Sequence, residues 1–196
     1  MKIAAQSWPG AWQAVGWSGT VPVGWGCAQR DGLNGLRNRI PSFYADPVAW
    51  LAVDALGDAL ESCASDVLAV RDEVGVIMVS AYCTLWTMRH VARSAVIGRM
   101  SPLRFAGASP GTAGSVSCIV FRLAGPSLTV STAPETGLPV AGAVAASWLR
   151  SGAAAFVVVS AHDVDDAGTH RVYTAILRTD RTDHTDGAEN TQAGHP

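Results

Sequence analysis

Two short runs, EVGVIMVSAY (73–82) and AAAFVVVSAHD (153–163), are almost wholly apolar and rich in β-branched residues. A strand with one wet face alternates apolar and polar residues. A strand that reads apolar throughout is buried on both faces. Around these runs the period becomes helical. DPVAWLAVDALGDALESC (46–63) offers Asp46 as an N-cap and Pro47 at the first helical position, followed by apolar residues at helical spacing. TLWTMRHVARSAVIG (84–98) sets Leu85, Met88, Val91, Ala92 and Ala95 along one side. ETGLPVAGAVAASWLRSG (135–152) predicts a third long helix, stopped by Gly152. Buried strands alternating with such helices predict an α/β layered fold with a mainly parallel sheet.

The remaining segments fill in the order β-α-β-α-α-β-α-β-β. Residues 1–40, rich in Gly and Trp, predict short strands and loops. SPLRFAGASPGTAGS (101–115) predicts a connection, GSVSCIVFRLAG (114–125) a small-residue helix ended by Gly125-Pro126, and SLTVSTA (127–133) a strand. GTHRVYTAILRTD (168–180) alternates enough for an edge strand. The expected organisation is one domain over 1–178 and a disordered polar tail over 179–196.

Charge excludes some functions. The net charge is −2 and only 15% of residues are charged, which argues against a nucleic-acid or anionic-membrane surface. No run of about 18 apolar residues predicts a membrane span, and Pro9 with three Trp interrupts any signal-peptide core, so a cytoplasmic protein is expected. The 48% hydrophobic content points to surface covered by an oligomeric partner. The four cysteines (Cys27, Cys63, Cys83, Cys118) form no CxxC pair, so neither a zinc site nor a disulfide framework is expected.

Familiar catalytic motifs are missing. VGWGCAQRDG lacks the spacing of a dinucleotide loop, and no GK[ST] occurs. GWSGT and GPSLT both miss the Gly-x-Ser-x-Gly elbow. HDVDD (162–166) reads as a solvated turn rather than a metal loop, and His90 as a surface or interface residue.

The run SPLRF…PGTAGSVSCIVFRLAGPSLTVSTAPETG…GAVAASWLRSGAAAFVVVSAHD resembles the N-terminal half of β-ketoacyl synthases, condensing enzymes of the thiolase fold. The hallmarks occur in order: Ser101-Pro102, a small-residue helix, Gly125-Pro126-Ser127, a strand, a nucleophile turn, a helix ending in Ser151-Gly152, and a Val-rich strand. The likeness covers roughly residues 35–178. In that family the turn reads Ser-Thr-Ala-Cys, and the cysteine thiolate accepts the acyl chain. Here Ser131-Thr132-Ala133 are kept and Pro134 stands at the nucleophile position. The family's two catalytic histidines belong to a C-terminal half that would begin beyond this sequence, so no condensation by the chain alone is expected.

A nucleophile-free relative resembles a short chain-length factor of type II (aryl-polyene or highly reducing) polyketide systems. The resemblance implies a heterodimer with a full-length ketosynthase, joined through the strand Ser127, Leu128, Thr129, Val130, Ser131, Thr132 and Ala133. It implies that Tyr82, Leu85, Trp86 and Arg89 gate the acyl tunnel. It implies no metal and no cofactor of its own, the acyl chain reaching the partner on the phosphopantetheine of a transiently bound acyl carrier protein, with Arg93, Arg99 and Arg104 as candidate contacts. Two other readings stay open. One is an atypical acyltransferase or hydrolase using Ser131 or Cys118; the other is a stand-alone scaffold homodimer.

Overall fold

The computed structural model describes residues 19–34, 39–40 and 43–180. Its elements are β1 (Thr20–Asp31), α1 (Pro47–Ser62), a 3₁₀ segment (Val67–Glu73), β2 (Val74–Val79), α2 (Leu85–Val96), α3 (Pro102–Ala106), α4 (Thr112–Phe121), β3 (Ser127–Val130), α5 (Pro134–Ser151), β4 (Phe156–Val164) and β5 (Thr169–Thr179). The five strands form one sheet in the order β1-β5-β4-β2-β3. Its core is parallel: β2 runs alongside β4 on one side and β3 on the other. β5 pairs antiparallel with β4, and β1 antiparallel with β5.

The two apolar runs are the buried centre of this sheet. All six residues of β2 are buried, because helices cover both faces. Ile77 and Val79 point to the α5 side, where they meet Leu138, Ala141 and Ala145. Val76 and Met78 point the other way, toward α1 and α4, among Leu56, Leu51 and Ala113. α1 begins as its sequence dictates. The Asp46 carboxylate accepts the Val48 N–H at 2.9 Å, and Pro47 occupies the first turn, where no N–H is needed. α5 stops at Gly152, whose φ of 72° lies in the left-handed region that favours glycine.

Several expectations need correction. β5 is interior, not an edge: the twelve-residue β1 covers it over its whole length, and among the described residues the sheet edges are β1 and β3. α4 ends at Arg122, itself left-handed (φ 57°), three residues before Gly125. A one-turn helix, α3, lies inside the Pro/Gly-rich connection. The apolar stripe of α2 does not reach the core. Thr87 is its one buried residue, while Met88, Val91 and Ala92 face Phe105 across a groove of about 490 Å³. Strand β5 includes Thr179, so the fold runs one residue past the expected boundary. The Gly/Trp-rich segment before residue 19 and the expected tail from residue 181 lie outside the described residues.

Candidate functional site

β3 ends at Val130, so only Ser127, Leu128, Thr129 and Val130 of the expected interface strand are strand; they occupy the sheet edge beside β2. Ser131, Thr132 and Ala133 make the turn. Ala133 is the N-cap of α5 with extended backbone and no side-chain cap, and Pro134 is the first helical residue. A proline there loses nothing, since the first N–H groups of a helix have no internal partner. Glu135 in the first turn complements the helix dipole. Pro134 is buried from bulk solvent yet lines a pocket of about 280 Å³, shared with Tyr82, Leu85, Ala133, His162 and Asp163.

The opposite wall is the turn after β2. Ser80 is fully buried, and its N–H donates to Val130 O at 3.0 Å. Its Oγ accepts the N–H of Tyr82 (3.1 Å) and of Cys83 (2.8 Å). Cys83 has φ 44°, a conformation that costs a non-glycine residue about 1–2 kcal/mol. The Ser80 bonds hold it there, with its thiol donating to Ser80 O at 2.9 Å. Asp46 reaches in from α1: its second carboxylate oxygen accepts the Thr87 N–H at 2.9 Å, tying the start of α1 to α2. Burial pushes this carboxyl up, while the bonds to Val48 and Thr87 and the field of His170 pull it down.

The structure brings together a group that sequence reasoning missed. His162 is not in a solvated turn. It is a β4 residue, 2% exposed, because β4 and β5 stay paired as far as Val164↔His170 and the turn holds only residues 165–168. Asp165 closes that turn by accepting the N–H groups of Ala167 and Thr169. His162 Nδ1 lies 2.9 Å from Ser80 Oγ, and its Nε2 lies 3.0 Å from His170 Nδ1. The two rings stack nearly parallel, and Tyr82 meets both edge-on at 5.6 and 5.0 Å. Burial, then the neighbouring His170, pushes His162 down to about 3; burial also lowers His170, against the opposing pull of Asp46. The two histidines meet on a diagonal across the hairpin, His162 opposite Val172 and His170 opposite Val164, a register that consecutive strands alone do not specify.

The expected gate residues do not all share one place. Tyr82 and Leu85 line the pocket. Trp86 packs with Tyr82 against the Val48–Leu51–Met78 cluster and stacks on His90, ring centroids 3.9 Å apart. Arg89 is exposed, as are Arg93, Arg99 and Arg104.

Among the described residues, no nucleophile addresses the pocket with a base behind it. Ser80 Oγ is sealed, with both acceptor positions used. Ser131 is exposed, and its Oγ receives only the Cys83 thiol, at 3.5 Å. Cys118 is half-buried on α4, its thiol pushed up by burial; burial pushes Cys27 up to about 11. Iodoacetamide at pH 8 should therefore modify Cys27 about a hundredfold more slowly in the folded chain than in the urea-unfolded one, with Cys118 also slowed. Mass spectrometry of the two samples checks this. Among the described residues, no group of three or more His, Cys, Asp or Glu side chains could hold a metal ion. No described helix is long and apolar enough to cross a membrane.

A sheet with this parallel core, followed by a strand–turn–helix that presents one residue to a pocket, is the fold of a thiolase-like ketosynthase N-terminal domain. The sequence matches the family described as β-ketoacyl synthase, N-terminal domain, over residues 16–191, and the chain belongs to that family. Among solved structures it is similar to the ishigamide ketosynthase/chain length factor (TM-score 0.66, 15% identity, 84% of this chain and 63% of that one). It is also similar to AntDE:AntF, a type II acyl carrier protein in complex with its ketosynthase (0.61, 14%, 82% and 62%). A third is the ketosynthase ApeO in complex with its chain length factor ApeC from Xenorhabdus doucetiae (0.58, 14%, 82% and 79%). The chain spans less than two thirds of the length of the first two. None of the curated proteins compared matches the sequence.

Proposed function

We propose that this chain is a non-catalytic chain-length-factor subunit. It pairs with an active ketosynthase and bounds the tunnel in which that partner's acyl chain grows. The observation that carries this reading is Pro134: the strand, turn and helix that present a nucleophile are intact, and the presented residue has no nucleophilic atom. Two features support it. Val96, Ile97 and Phe105 are 88%, 68% and 62% exposed on α2, its C-terminal end and α3, an apolar surface suited to a partner. Among the described residues no strand pairs with the outer edge of β3, which suits a strand from another chain that would extend the sheet. The acyl chain would arrive at the partner on an acyl carrier protein, and this subunit would supply wall rather than chemistry.

The test is co-purification with a full-length ketosynthase from a polyketide or polyene system, followed by product analysis. A 1:1 complex is expected, with no acyl adduct on this chain. Leu85→Ala, which shortens a pocket wall, should shift products toward longer chains; Trp86→Ala would instead disturb packing against the core. A monomeric chain that ignores the ketosynthase, or an acyl adduct on this chain, overturns the reading.

A further inference from the structure

The hydrogen-bond valences fix where the protons sit behind Tyr82. Ser80 Oγ accepts two backbone N–H groups, which uses both of its lone pairs, so its own proton goes to His162 Nδ1. That nitrogen is then an acceptor. The proton of the neutral His162 ring sits on Nε2 and is donated to His170 Nδ1. The chain runs one way only: Ser80 to His162 to His170. A further proton on either ring sets donor against donor. If the chain reverses to accommodate it, His162 Nδ1–H faces Ser80 Oγ, and the N–H of Tyr82 or Cys83 must let go.

We infer that this directional Ser80–His162–His170 chain is a positioning device: it clamps the 80–84 turn, and with it Tyr82 and Leu85, at the wall of the Pro134 pocket, and acid unclamps it. The inference rests on the reading of that wall as an acyl boundary, but its own test does not. The strained Cys83 backbone gives the turn a reason to move once freed. The ionisable groups around the pair come from every packed element. Asp46 stands at the start of α1, and Tyr82 and Cys83 in the turn. Arg89 on α2 acts on Tyr82, Asp163 sits at the pocket rim, and Arg30 is opposite His170 on β1. Asp46 favours a charged His170; burial opposes it. Because an unclamped histidine takes up a proton readily, the population of the open turn should rise roughly tenfold per pH unit below about 6.5 for each ring released.

The full-length chain is suited to an amide-exchange measurement by NMR, corrected for the intrinsic pH dependence of exchange. Protection at Tyr82 and Cys83 should fall about a hundredfold between pH 7 and pH 4.5. Ile77, in the middle of β2, should stay more protected at both pH values. His162→Asn keeps an acceptor facing Ser80 but has nothing to titrate at 162, so protection should persist and lose most of its dependence on pH. His162→Leu should lose it at both pH values. Should the leucine variant not fold, the ¹⁵N–¹H spectrum of the wild-type histidines decides instead: Nδ1 of His162 must be unprotonated at pH 7. Protection that is flat in the wild type, an equal acid loss in His162→Asn, or a proton on His162 Nδ1 would each overturn the clamp. If the clamp behaves as stated while Leu85→Ala leaves product length unchanged, it is the acyl reading that fails.

Discussion

Gly26→Ala is expected to cost about 3 kcal/mol or more, enough to leave much of the chain insoluble. A Cβ at that position would overlap the carbonyl oxygen of Ala55 and the amide nitrogen of Ala59, both backbone atoms of α1. Neither can step aside as a flexible side chain could. Relief requires the whole helix to move off β1, and α1 carries Val48, Leu51, Leu56 and Ala59, all buried against the sheet. Gly57→Ala in the same helix is the matching control with the opposite sign. Its Cβ would meet nothing closer than a Phe121 ring carbon at 4.0 Å, and alanine favours helix, so a gain of about 0.5–1 kcal/mol is expected. Urea denaturation of the three proteins checks the pair. Equal midpoints for wild type and Gly26→Ala would mean that α1 does not sit where it is described.

Acid should weaken the whole fold, and the direction follows from the histidines. His162 is held to about 3 in the folded chain and returns to about 6.5 when unfolded. Between those values the unfolded chain binds the extra proton, so stability falls as pH falls, by about 1.4 kcal/mol per unit. His170 adds in the same direction. Asp46 opposes: its carboxyl is raised by burial, so the folded chain takes up that proton first and gains stability as pH drops toward the ordinary carboxylate range. The net expectation is a loss of about 3 kcal/mol between pH 6.5 and pH 4.5, most of it absent in His162→Asn. Thermal melts of both proteins across that range give the comparison. Parallel pH profiles would show that His162 is not the residue excluded from protonation.

The parts of the fold legible in the sequence are those whose signals are local. Asp46-Pro47 capping a helix, the unbroken apolar β2 and β4, and Gly152 ending α5 each carry their cause within a few residues. β1 was legible only in part: short strands and loops were expected over residues 1–40, but not one twelve-residue strand in which Gly24 and Gly26 are small because α1 crosses closely. The stripe on α2 was right in period, but what it faces was not legible, since only the third dimension tells a helix whether its apolar side meets a sheet or a groove. The turn with Pro134 was legible from its residue order. The Ser80–His162–His170 chain was not, because it needs the register of a hairpin and the end of a parallel strand together, and neither is written in any one segment.

The β1–β5 pairing sets the order in which this molecule can become whole. Thr20 lies opposite Thr179, and the Asp180 N–H donates to Gly19 O at 3.0 Å, so β1 closes only on β5. A ribosome releases residues 20–31 well over a hundred residues before their partner exists. Contacts between such distant segments are slow to form, because a long loop must close before any bond rewards it. Until β5 arrives, the face of α1 that will rest on β1 has no strand beneath it. The growing chain therefore carries an uncovered face on α1 until β5 has been made.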